Sequence, residues 1–251
     1  MSINYLLLTS NPFFDAYIHS DFLGRLIFIG LILLSICTWV VLIHKVWITR
    51  NIRKNSLKFQ EFFQSQRLNP LQIEYLPPKN PNTNPFLTLY QILKKQTVEI
   101  LNKNRRFIHL NKTASAPETA SYLSASDVEF VESHLFSTIS SQTQHLEKNL
   151  YILATIVSLA PFLGLLGTVW GILTTFGELQ TLSSGSTHQL VLGGLSLALA
   201  TTVMGLLDAI PALIGYNYLK NAIKDYQTEM ECFSNEILTS VELQYRKVDI
   251  S

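Results

Sequence analysis

The sequence predicts an all-α membrane protein with three transmembrane helices, two of which extend into a cytoplasmic helical bundle. Three observations carry this. Hydrophobic residues make up 47% of 251 positions and charged residues only 15%, too apolar a balance for an ordinary soluble globule. The apolar residues gather in three long runs, and lysine and arginine are distributed very unevenly around those runs.

The first run, Leu26 to Ile43, holds eighteen residues without a charge. At 1.5 Å rise per residue that approaches the length needed to cross a hydrocarbon core of about 30 Å. It begins well inside the chain and is followed by Val46, Trp47, Ile48, Thr49 and Arg50 rather than by small residues. An uncleaved anchor over 22–46, preceded by a periplasmic segment 1–21, is therefore expected in place of a secretory signal. The second run, Leu150 to Phe176, is longer and uncharged, and the third, Leu190 to Leu219, contains Asp208 as its single charged residue. They predict spans over 149–176 and 190–219. Core helices of a soluble protein are a poor alternative, since those show a polar stripe and seldom stay apolar for so long.

Of the lysines and arginines, fourteen lie between Lys45 and Lys148, four follow the third run, only Arg25 precedes the first, and none separates the second from the third. Lys45, Arg50, Arg53 and Lys54 flank span one, and Lys220 and Lys224 flank span three, which places these flanks inside by the positive-inside rule. The N-terminus and the connector 177–189 are then outside, and the C-terminus is inside, on the cytoplasmic face.

About a hundred residues between spans one and two are too many for a plain connector, so 47–148 is expected to be a cytoplasmic helical region. Asn69 to Pro85 includes Pro70, Pro77, Pro78, Pro81 and Pro85 and reads as extended or turning. Leu87 to Arg106 has apolar residues at amphipathic-helix spacing, and Lys112 to Ser124 reads as a loop. Ser126 and Glu129 fit a capping box. With no Pro or Gly before Pro161, a helix from Asp127 is expected to run unbroken through Lys148 into the membrane. Residues 220–251 likewise predict a helical continuation of span three.

Within the spans, Pro161 frees a backbone carbonyl one turn earlier, and Gly164, Gly167 and Gly171 present a face without side chains, suited to close helix approach. Span three repeats the pattern with Gly194, Ala198, Thr201, Thr202, Gly205 and Ala209. Packing alone is one explanation. Thr168 either closes its hydroxyl onto its own helix or faces a polar lumen. Asp208, near the cytoplasmic end of its span, either reaches the interface or a lysine of the bundle, or handles protons. Pro211, three residues on, weakens the local helix.

Two blocks are specific: Lys148 to Gly171, containing Ala160-Pro-Phe-Leu-Gly-Leu-Leu-Gly-Thr-Val-Trp-Gly171, and Gly205-Leu-Leu-Asp-Ala-Ile-Pro-Ala-Leu-Ile-Gly-Tyr-Asn217. They strongly resemble the ExbB/TolQ/MotA proton-channel family, its ExbB and TolQ branch more than MotA. The resemblance implies a homopentamer whose second and third spans line a pore around single-span subunits of the ExbD/TolR kind. A carboxylate on those partners carries protons down the proton-motive force, and motion passes to a TolA- or TonB-like periplasm-spanning protein. The family's pore threonines correspond to Thr168 and Thr202. Many relatives carry a glutamate where this chain has Leu197; Asp208, eleven residues on and on nearly the same helical face, is the candidate to take over that role. A TolQ-like output, outer-membrane constriction and envelope integrity, is expected ahead of ExbB-like energised uptake. A passive scaffold without proton conduction and a lone transport channel are the alternatives.

Other classes find little support. A net charge of +1 gives no bulk reason to expect nucleic acid. Cys37 and Cys232 form no disulfide framework. Neither a metal site nor a cofactor is expected, and the absence of a nucleophile elbow, a phosphate loop or a close histidine pair argues against an enzyme. His109, His134, His145 and His188 are scattered.

Overall fold

Long uncharged apolar runs without a helix break leave the backbone one economical way to satisfy its polar groups, and the computed structural model is accordingly helical. It describes residues 17, 21–67, 69–73, 84–110, 122–181 and 187–245. The helices are α1 (Phe22–Ser65), α2 (Pro85–Leu110), α3 (Ala125–Glu147), α4 (Leu150–Thr181) and α5 (Thr187–Tyr245). Among the described residues there is no strand. Three helical stretches are long and apolar enough to cross a membrane: Phe22–Ser65, Leu150–Gly177 and Gly194–Tyr245.

The chain divides into two units, Met1–Lys45 with Asn149–Leu219, and Val46–Lys148 with Lys220–Ser251. The first gathers the apolar parts of α1, α4 and α5. Its core joins Ile27 and Leu31 of α1, Ile156 and Ala160 of α4, and Ala209 and Ala212 of α5. The outward faces are also apolar: Leu33, Leu165 and Ile214 are 61%, 56% and 65% exposed. A surface of that kind is stable where lipid rather than water touches it. Asp21 starts α1 by accepting a hydrogen bond from the Gly24 amide at 3.0 Å. Its other oxygen accepts one from the Trp170 indole of α4 at 2.7 Å.

The second unit holds an aromatic core. Phe59 and Phe63 of α1, Phe86 and Tyr90 of α2, and Tyr226 and Phe233 of α5 are almost fully buried. Phe86 stacks on Phe233 with ring centroids 4.5 Å apart, and Phe59 meets Phe233 edge-on at 6.0 Å. Beside these rings, the Ser56 hydroxyl lies 2.6 Å from the Tyr226 hydroxyl and 3.1 Å from the Asn84 side-chain oxygen. That same Asn84 oxygen accepts from the Leu87 amide at 3.2 Å and so starts α2. Arg53 pairs with Glu229 on the surface of this unit.

Several expectations are met and others corrected. Helix α2 covers Leu87 to Arg106, and α5 continues as helix well past Leu219. The start of α3 lies two residues before the expected one: the capping box is Ser124 with Asp127, not Ser126 with Glu129. Ser126 instead places its hydroxyl 2.9 Å from that of Ser124. Nor does a single helix run from this cap into the apolar run. Helix α3 ends at Glu147, and Asn149 takes a left-handed φ of 69° before α4 begins. Asparagine tolerates that region, so it ends a helix much as glycine does. Helical structure also persists into the stretch read as a connector, through Thr181 and again from Thr187. Most of the proline-rich segment (74–83), most of the Ala/Ser/Thr-rich segment (111–121), nearly all of 1–20, and residues 182–186 and 246–251 lie outside the described residues.

Candidate functional site

Glycine at helical spacing on two neighbouring helices removes the side chains that normally hold backbones apart, and α4 and α5 use this in full. A Cβ built on Gly205 would stand 2.5 Å from the Ala160 carbonyl oxygen. One on Gly167 would collide with the Thr201 side chain, and one on Gly164 would stand 3.0 Å from both the Thr201 carbonyl oxygen and the Thr202 Cα. Gly171 faces Ala198 and Gly194 in the same way. The contacts pair 160 with 205, 164 with 201 and 202, and 171 with 194 and 198, so the two helices run antiparallel along one small-residue seam. Pro161 and Pro211 lie inside α4 and α5 without ending either helix.

A polar thread follows the seam. The Thr202 hydroxyl donates across it to the Gly164 carbonyl at 3.1 Å. Thr201 is buried and donates to Ala198 of its own helix at 2.8 Å, with the Gly164 carbonyl 3.4 Å away. Thr175, also buried, donates to the Gly171 carbonyl at 2.7 Å. Thr168 closes onto its own helix, donating to the Leu165 carbonyl at 2.6 Å. The two expected pore threonines therefore differ within this chain: Thr202 bridges α4 and α5, whereas Thr168 does not.

Asp208 is 6% exposed. The Ser35 hydroxyl of α1 is a hydrogen-bonding neighbour, and Oδ2 has no hydrogen-bond partner among the described residues. It thus belongs to the contact between α5 and α1, not to the bond between Thr202 and Gly164. Ser35 lies in the charge-free run Leu26 to Ile43, where Ser35 and Thr38 carry the hydroxyls and Trp39 an indole N–H. Its polarity was the available signal, but nothing in its spacing linked it to Asp208. Thr201 carried a similar signal as a hydroxyl within a small-residue stripe. No group of three or more potential metal-ligating side chains occurs among the described residues.

Residues 101–232 match the MotA/TolQ/ExbB proton channel family. The chain belongs to that family. It is 26% identical to the biopolymer transport protein ExbB of Salmonella typhimurium over 249 residues, 99% of this chain and 92% of that protein. It is also 26% identical to the Tol-Pal system protein TolQ of Haemophilus influenzae over 233 residues, 92% of this chain and 94% of that one. The ExbB protein of Aquifex aeolicus is 39% identical over 107 residues, 43% of this chain and 72% of that protein. Relatives named for both systems cover most of the chain, which makes it a transmembrane member of the ExbB/TolQ proton-channel group. The matched region includes Thr168, Thr202 and Asp208, whereas Ser35 precedes it.

Proposed function

We propose that this chain is the channel-forming subunit of an inner-membrane complex driven by the proton-motive force, with a TolQ-like output at the cell envelope. In this reading five copies surround single-span subunits of the ExbD/TolR kind, and α4 and α5 face the enclosed space. In this reading the N-terminus is periplasmic and the C-terminus cytoplasmic, the orientation that the basic flanks of spans one and three support. A proton-bearing carboxylate on the enclosed subunit moves past Thr168 and Thr202, and a TolA- or TonB-like protein carries the motion across the periplasm.

The supporting observation is the Thr202 bond to the Gly164 carbonyl within the close-packed seam of α4 and α5. The Thr202 hydroxyl donates and the Gly164 backbone carbonyl accepts, with the Thr201 hydroxyl 3.4 Å from the same oxygen, inside a seam built from small residues. Such a pair relays polarity through an apolar region without placing a charge there. The test is proton flux into proteoliposomes containing the chain with its single-span partner. Thr202→Val should lower flux at least tenfold, equivalent to about 1.4 kcal/mol, while Thr202→Ser retains it and both variants keep the assembly. Unchanged flux in Thr202→Val refutes the reading, and flux through the chain alone would favour a lone channel.

An ExbB-like output is the second reading, since relatives named ExbB and relatives named TolQ both cover most of the chain. Deleting the gene separates the two: envelope blebbing and chained cells follow from a TolQ-like role, and loss of energised uptake through outer-membrane receptors from an ExbB-like one.

A further inference from the structure

A carboxyl group inside an apolar unit is costly as an anion unless donors or cations surround it. Among the described residues, the Ser35 hydroxyl is a hydrogen-bonding neighbour of Asp208. Its Oδ2 is buried and meets no partner among the described residues, and the residue as a whole is 6% exposed. The elements packed on this part of α5 bring no charge, since Leu26 to Ile43 of α1 and Leu150 to Phe176 of α4 contain none. The titratable groups they do bring are the half-buried thiol of Cys37, in the core of this unit, and the phenol of Tyr151, which points outward at 68% exposure. Neither is a cation that would hold a carboxylate.

We propose that Ser35 is a positioning residue for Asp208: its hydroxyl holds one carboxyl oxygen and leaves Oδ2 as the atom that takes up a proton within the first unit. The step is a simple association, in which a proton adds to the carboxylate and the neutral acid forms. Span one then contributes a side chain to the acid site and is more than an anchor, although it lies outside the family-matched residues. With Oδ2 protonated, the oxygen that accepts from Ser35 is the carbonyl oxygen of the acid. This gives the pair a spectroscopic signature. The inference rests on the proposed proton path past Thr168 and Thr202, to which it adds Asp208.

The experiment is infrared difference spectroscopy on the full chain with its partner in lipid, following the carbonyl stretch of protonated carboxyl groups across a pH series. Asp208→Asn should delete one such band. Ser35→Ala should move that band to higher frequency, because one hydrogen bond to the carbonyl is lost, and Ser35→Thr should restore its position. A spectrum in which Asp208→Asn removes no protonated-carboxyl band overturns the proposal, as does a band that Ser35→Ala leaves in place. Proton flux is measured on the same samples. If the band behaves as expected but Asp208→Asn conducts normally, the Ser35 assignment stands and the placement of Asp208 in the proton path falls.

Discussion

Replacing Gly205 by alanine adds one methyl group at the tightest backbone approach of the first unit. The new Cβ would lie 2.5 Å from the Ala160 carbonyl oxygen and 3.2 Å from the Gly164 Cα, where ordinary contact begins at 3.4 Å. Both obstacles are backbone, so α4 and α5 must separate by roughly 1 Å to reach ordinary contact, and overpacking of this kind costs about 1–3 kcal/mol. The same movement stretches the 3.1 Å bond from Thr202 to Gly164 beyond useful geometry, removing about 0.6 kcal/mol more, the average for such bonds in membranes. Alanine's better helix propensity returns about 1 kcal/mol. The net expectation is a destabilisation of about 0.6–2.6 kcal/mol, roughly a 3- to 80-fold shift in the unfolding equilibrium. Unfolding of the purified protein in mixed micelles of mild detergent and dodecyl sulfate reads this directly. Gly177→Ala is the control, since a Cβ there meets nothing within 4 Å, and it should be neutral or slightly stabilising. A Gly205→Ala protein as stable as that control would mean that α4 and α5 do not approach at Gly205, and the seam would have to be redrawn.

The second unit supplies further tests. Ser56→Ala should destabilise by about 1–3 kcal/mol, because it strands the Tyr226 hydroxyl, in a residue only 1% exposed, without its 2.6 Å neighbour. Tyr226→Phe should cost less, since Ser56 keeps Asn84 at 3.1 Å, and denaturant titration of the two variants checks the order. Ser124→Ala should weaken the start of α3 by about 1 kcal/mol, visible as faster amide exchange over its first turn. At Asp127, burial pushes the carboxyl up, but hydrogen bonds from the Ser124 backbone and side chain and from Asn104, together with the charge of Lys103, hold it below its ordinary value of 3.8. That contribution is fully present above pH 3.8 and is lost as pH falls through the lower folded value, so the first turn of α3 should loosen in acid. Burial pushes the Tyr90 phenol the other way, up to about 12 from 10.0. Its contribution is complete below pH 10.0 and declines as pH rises toward about 12, and a Tyr90→Phe variant should lack that alkaline loss.

Much of the fold was legible in the residues because its signals are local. Eighteen uncharged positions from Leu26 to Ile43 call for a span wherever they occur, and glycines at 164, 167 and 171 call for a close neighbour on one face. The start of α3 was misplaced because Ser124 and Ser126 each stand three residues before an acid, Asp127 and Glu129, and spacing cannot rank two such pairs. Its end was missed because asparagine is a permissible helix residue until its φ turns positive, as it does at Asn149.

By itself, the sequence determined the three apolar helices, the small-residue faces of α4 and α5, and the family to which they belong, because hydropathy, periodicity and contiguous motifs are properties of neighbouring residues. Only the tertiary structure decided which hydroxyls reach across. Thr202 bonds Gly164 while Thr168 turns back on Leu165, and Ser35 of the first span is the neighbour of Asp208 in the third. A hydrogen bond needs two groups within about 3 Å, and for residues far apart in the chain it is the packing of the helices that sets that distance.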